Sequence, residues 1–248
     1  MSGLTDARGT FWDHLNELRW VIIRSLLVMA VFAVVAFCLK DWLFDVILAP
    51  RSSDFITFRL METEPFSISL MNTGLTEQFA THMRMAIYAG LLCSSPYILY
   101  QLFRFVSPGL YANERKAAVW VVGTSYVMFM LGTLINYFII FPLTVRFLGT
   151  YQVSEDVANM LTLKSYTDTL VSMCLVMGVV FELPIVCAIL GKMNLLTGRQ
   201  MRHYRRHAIV AILVVAAIIT PTGDAFTLFA VSLPIWLLYE LSILIIKK

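Results

Sequence analysis

Charge is what this chain has least of. Only 14% of its 248 residues are Asp, Glu, Lys or Arg, against 59% apolar, and the mean hydropathy is +0.77. So few polar side chains cannot cover a water-soluble globule of this length, and that class is excluded. Metal chemistry has little to use: Cys38, Cys93, Cys174 and Cys187 all fall in apolar runs without paired metal-ligand spacing. His203 and His207 lie one turn apart, but Arg205 and Arg206 between them would repel a cation. There is no HExxH motif, no nucleophile elbow and no Gly-rich phosphate loop, so zinc proteolysis, serine hydrolysis and ATP-driven work are all set aside. No internal repeat or low-complexity tract is visible. No catalytic residue, metal or cofactor is expected.

Long apolar runs are what the chain has instead. Six stand out: Val21–Leu39, Met85–Phe103, Ala117–Val145, Leu170–Leu190, Ala208–Thr220 and Ala225–Ile246. A helix rises about 1.5 Å per residue and must cross roughly 30 Å of hydrocarbon, so the expectation is an all-α integral membrane protein with six transmembrane helices. The whole chain, 1–248, reads as one membrane domain, with residues 1–20 an amphipathic segment and residues 40–84 a loop long enough to fold as a cap. Arg24 sits inside the first run and no small-residue cleavage site precedes Lys40 and Asp41, so that run is expected to stay as a helix. The fifth run has only 13 residues.

The cations set the orientation. Of 19 Lys and Arg residues, Lys40, Arg51, Arg59, Arg84, Arg146 and Lys164 fall on one side and the other 13 on the opposite side. The positive-inside rule then puts both termini in the cytoplasm. The net charge of +3 is therefore a matter of topology, and no nucleic-acid partner is implied. Phe11, Leu15, Leu18 and Ile22, spaced by four, three and four, give the N-terminal segment an apolar face for the lipid interface.

Three carboxylates call for an account. Glu182 is the only charge in Leu170–Leu190, and a bare carboxylate is costly against lipid, so it is expected to face protein or water. It reads either as a functional intramembrane group or as an ordinary buried carboxyl bonded to a neighbouring helix. An ion-coupled secondary transporter of a small solute, working through Glu182, is the alternative function, although such folds usually show inverted repeats. Glu17 and Glu114 have no base three or four residues away on their own helices, which leaves either a solvated surface or a pair of acids ready for an outside cation.

The motifs narrow the choice. HLNELR from His14 to Arg19, LAP at Leu48–Pro50, SPYILYQLFRFVSPGLYANERK from Ser95 to Lys116, YFIIFPL at Tyr137–Leu143, FELP at Phe181–Pro184 and TPTGD at Thr220–Asp224 resemble the TatC family in order and spacing. TatC is the multispanning receptor of the twin-arginine translocase. The resemblance implies a concave six-helix bundle with its last two helices short and both termini inside, in the bacterial cytoplasmic membrane. It implies a receptor for the twin-arginine signal peptides of folded cargo, within a non-enzymatic translocase driven by the proton-motive force. Single-span TatA/TatB-type subunits and other copies of the chain are the implied partners. Carried over by motif, Glu17 and Glu114 meet the paired arginines, Arg19 and Phe105 assist, Pro50 and Tyr137 support, and Glu182 is the family's intramembrane glutamate. Leu228 stands where some relatives have a glutamine. The fifth apolar run, short and almost wholly aliphatic, is expected to dock a partner helix, with a hydrogen bond near Thr220; the alternative is plain lipid-facing surface.

A fork and an ammonium should be told apart by such a site. A guanidinium offers carboxylate two parallel donors, and a lysine offers a point charge.

Overall fold

The computed structural model describes residues 3–61, 66, 68–106, 115–151, 161–193, 195–220 and 224–246, with the side chains of 3–14, 106, 115–120 and 219 left aside. Apolar runs this long have one way to satisfy their backbone in lipid, which is to coil, and the described chain is almost wholly helical. The elements are α1 (Gly3–Cys38), α2 (Lys40–Leu48), a 3-10 turn (Ala49–Arg51), α3 (Ile56–Leu60), β1 (Leu70–Met71), α4 (Glu77–Val106) and α5 (Arg115–Ile135). A π-helical segment (Asn136–Ile140) follows, then α6 (Phe141–Thr150), β2 (Leu161–Thr162), α7 (Leu163–Val180), α8 (Leu183–Lys192), α9 (Gly198–His203), α10 (Arg205–Ile219) and α11 (Ala225–Ile245).

Among the described residues, five helical stretches are long and apolar enough to cross a membrane: Leu15–Cys38, Glu77–Phe105, Val121–Thr150, Leu163–Lys192 and Ala225–Ile245. The fifth apolar run becomes α10, whose 15 residues reach only about 22 Å. α11 is longer than α10 but shorter than the other four candidate spans among the described residues. α11 has 21 residues, about 31 Å, because Pro234 is accommodated inside it rather than ending it.

The chain forms two compact units, one of Met1–Lys40 with Ala86–Tyr126, the other of Asp41–Met85 with Val127–Lys248. In the first, α1 and α4 touch backbone to backbone at Gly90. A Cβ there would lie 2.7 Å from the Ala33 nitrogen and 2.8 Å from the Met29 carbonyl oxygen, so no larger residue fits without moving a helix. The second unit uses the same device at Gly132, where a Cβ would stand 2.5 Å from the Met177 carbonyl oxygen and so hold α5 off α7.

Between α1 and α4 the described residues form α2, the 3-10 turn, α3 and β1. β1 pairs in parallel with β2, Leu70 opposite Leu161 and Met71 opposite Thr162. Glu77, opening α4, accepts from the Gly74 and Thr73 amides at 2.9 and 3.1 Å and from the Lys164 amide at 3.2 Å, tying two distant connections to one carboxylate. Arg84 and Asp168 form an ion pair between α4 and α7. Three helix starts carry side-chain caps among the described residues: Thr162 accepts from the Ser165 amide, Thr197 and Gln200 form a reciprocal box, and Asp224 accepts from the Thr227 amide at 2.7 Å.

Proline creates the fold's recurring problem. Lacking an N–H, it leaves the carbonyl four residues earlier without its helical donor. Pro50 does this to Val46, and the Tyr137 hydroxyl donates to that oxygen at 2.6 Å. Pro96 does it to Leu92, which receives the Ser95 hydroxyl at 2.7 Å. Pro142 does it to Phe138, which receives the Thr57 hydroxyl. The neighbouring Ile47 carbonyl takes the Tyr166 hydroxyl at 2.9 Å, so the end of α2 is held by two tyrosines.

Removing a donor from such a carbonyl costs about 1–3 kcal/mol. Tyr137→Phe is therefore expected to lower the Tm of the detergent-purified protein by a few degrees. In a Pro50→Ala background the restored amide can serve Val46, and the same Tyr137→Phe change should lose most of its effect. Equal losses in both backgrounds, read by thermal unfolding, would show that the hydroxyl does not substitute for the missing amide.

Candidate functional site

The N-terminal carboxylate sits in a built recess. On α1, Glu17, Val21 and Arg24 fall at i, i+4 and i+7 and share a face, with Trp20 beside them. From α4, Gln101, Arg104 and Phe105 face the same space, and the recess encloses about 270 Å³. Gln101 is buried and fixed by its amide, which donates to the Tyr97 hydroxyl at 2.7 Å, one turn earlier on the same helix. Glu17, Trp20 and Arg104 are exposed and Phe105 is half-buried. The recess thus offers one carboxylate, two aromatic surfaces and two guanidiniums.

Glu17 and Phe105 line the same recess. Arg19 is exposed and lies outside the recess lining. Glu114 lies outside the described residues, as does the rest of the 107–114 connection. Arg24, two turns along α1 from Glu17 and beyond the three- and four-residue offsets at which Glu17 has no Lys or Arg, lines the same recess. A search confined to offsets of three and four misses i+7, and Arg104 is invisible from α1 alone.

The other candidates belong to the second unit. Pro50 and Tyr137, far apart in sequence, are two halves of one arrangement, since the proline releases the Val46 carbonyl that the tyrosine bonds. Phe55 packs edge-on against the Tyr137 ring, centroids 5.5 Å apart, fixing the direction of its hydroxyl. Glu182 falls at the break between α7 and α8. Its amide donates to the Val179 carbonyl at 3.0 Å in a tight turn, Pro184 follows, and the residue is half-buried. Thr220 is buried, and its hydroxyl donates to the Ala216 carbonyl of its own helix at 3.0 Å. That bond uses the donor that a partner helix was expected to take. What α10 presents outward is aliphatic: Ile209, Val210, Leu213, Val214 and Ile218 are all exposed. Ile209, Ile212 and Leu213 of α10 and Phe229, Leu233 and Trp236 of α11 line an apolar groove of about 390 Å³, with Ser232 its polar lining residue.

A family profile described as "Sec-independent protein translocase protein (TatC)" matches residues 13–234. The chain belongs to the TatC family. Similar TatC proteins include that of Desulforapulum autotrophicum, 33% identical over 239 residues covering 96% of this chain and 84% of the relative. The Aquifex aeolicus TatC is 31% identical over 95% of this chain and 93% of its own length. Two crystal structures of proteins described as the twin arginine translocase receptor TatC superpose well. One has a TM-score of 0.77 and 32% identity, covering 94% of this chain and 97% of that one. The other, in the detergent DDM, has a TM-score of 0.80 and 30% identity, covering 95% and 100%. A multi-pass, helical membrane protein of the TatC type is therefore what this sequence encodes.

For a TatC chain, an intramembrane carboxylate at a helix break should be reached by water rather than sealed in hydrocarbon. Glu182→Cys is expected to react with small aqueous thiol reagents in intact membranes, while Met177→Cys, at a fully buried position one turn away, should not. An inert cysteine at 182 would make Glu182 a dry structural group.

Proposed function

We propose that this chain is the receptor for twin-arginine signal peptides and the core of a translocase that exports folded proteins across the bacterial cytoplasmic membrane. Both termini and the Glu17 recess face the cytoplasm, as the distribution of Lys and Arg supports. The observation that carries the reading is a carboxylate held on α1 beside the aromatic faces of Trp20 and Phe105. A guanidinium can bond the one and stack on the others, which an ammonium does less well. Glu114, carried over from the family motif, supplies the second carboxylate for the second arginine, and Arg19 helps to orient the first. The chain does no catalysis of its own. Single-span subunits of the TatA/TatB type dock along the α10–α11 groove, where apolar side chains and Ser232 offer close packing without an unmet polar group. The proton-motive force drives the transport step.

A charge-assisted hydrogen bond contributes about 1.5–3 kcal/mol, or about ten- to a hundredfold in Kd. Purified protein is expected to retain a twin-arginine peptide and release its twin-lysine version, and Glu17→Gln should weaken the former by at least about tenfold. Unchanged affinity in both Glu17→Gln and Glu114→Gln would remove these carboxylates from the receptor.

Arg24 and Arg104 act against an incoming cation. Arg104→Gln is expected to tighten twin-arginine peptide binding a few-fold at low salt, with the gain shrinking as ionic strength screens the repulsion. A loss of affinity in that variant, measured by fluorescence anisotropy across a salt series, would mean that Arg104 contacts the peptide's acceptors instead.

A further inference from the structure

A further cavity, with a lining that shares no residue with the α10–α11 groove, lies in the second unit. It encloses about 460 Å³ between α8, α9 and α11. Leu183 and Cys187 of α8, Leu195 and Leu196 of the following turn, and Tyr239 of α11 supply apolar walls. Its base is the cluster of Met201, Ile243 and Ile246. Gln200 and Tyr204 lie at the loop end, and Leu183 lies nine residues before the end of α8, roughly 13 Å along the helix axis. The cavity is therefore a slot running from the polar loop into the membrane-spanning part.

The segment that supplies its loop end is strongly basic. From Leu183 to Gly223 the sequence holds Lys192, Arg199, Arg202, Arg205 and Arg206 and no acid. Arg199 and Arg202 sit on α9 beside Gln200 and Met201 of the lining, and Arg205 and Arg206 follow Tyr204. Glu240, next to lining residue Tyr239, pairs with Arg205 at 2.6 Å. Arg199, Arg202 and Arg206 are exposed and carry no ion pair among the described residues. The fold fixes this loop end: the Thr197–Gln200 capping box starts α9, and the Tyr239 hydroxyl donates to the Met201 carbonyl at 2.7 Å.

An apolar slot whose loop end lies next to several exposed arginines complements one kind of molecule, an acyl chain ending in an anion. We propose that this slot binds an anionic phospholipid of the cytoplasmic leaflet, one acyl chain lying along α8 between Leu183 and Leu195 and the phosphate held by Arg199, Arg202 and Arg206. The orientation argued above places this loop at the cytoplasmic surface, where anionic headgroups meet basic loops. The proposal does not depend on peptide recognition by Glu17.

The test uses the full chain in a mild detergent, titrated with fluorescent phosphatidylglycerol or phosphatidylcholine bearing the same acyl chains. Phosphatidylglycerol is expected to bind at least about tenfold tighter at low salt. The variant Arg199→Gln/Arg202→Gln/Arg206→Gln should bring the two lipids within about twofold of each other, and the matching triple lysine variant should keep most of the preference. Leu195→Trp, at an exposed wall position, should weaken both lipids alike without unfolding, checked by circular dichroism. Equal wild-type affinities, or a preference that survives the triple glutamine variant, would overturn the proposal. Displacement by inorganic phosphate at millimolar concentration would reduce the site to a simple anion site, and displacement by a single-span partner peptide would give the slot to a protein. Twin-arginine peptide binding, followed in the same variants, should stay unchanged.

Discussion

The hydrocarbon layer offers no water to a backbone carbonyl, and most of this architecture follows from that one restriction. Each proline, whether in a spanning helix or at the end of a helix in the 40–84 segment, releases an acceptor that something else has to meet. Here the answer is repeatedly a hydroxyl, from Tyr137 to Val46, from Ser95 to Leu92 and from Thr57 to Phe138. Two of these three come from a different element, so meeting the carbonyl also fixes one segment against another. A local defect becomes a tertiary restraint.

That logic explains why motif residues with no evident chemistry recur beside those that have some. Pro50 and Tyr137 look unrelated in sequence, yet they form the donor-acceptor exchange that ends α2. Glu182 stands at another break, where Pro184 interrupts the continuity of α7 and α8. Polar groups gather where the helices are interrupted, since only there do backbone groups need them.

Much of this was legible in the chain because length and hydropathy decide whether a segment crosses lipid. The 15-residue α10 and the cap at Asp224 follow from composition and from local hydrogen bonding. What the sequence could not disclose depends on rotation about the helix axis and on which helices meet. Arg104 joins Glu17 only because α4 crosses α1 closely at Gly90, and no spacing rule on either helix reports that. Thr220 shows the opposite limit. A lone polar residue in an aliphatic run suggests an external bond, but its hydroxyl is within reach of the carbonyl one turn back, and the local partner is met first.

The carboxylate clamp at Glu77 has a consequence for biogenesis. Its acceptors face the Thr73 and Gly74 amides nearby and the Lys164 amide 87 positions on. At about 5–20 residues per second, the ribosome delivers that last donor roughly 4 to 17 seconds after the turn around Glu77 has left it. Throughout that interval the segment before α4 has only its local half of the clamp, and it closes once α7 has been threaded. The clamp is thus completed only late: a nascent chain whose later helices fail to enter lacks the Lys164 donor at this corner, and one that inserts correctly has all three amides on the Glu77 carboxylate.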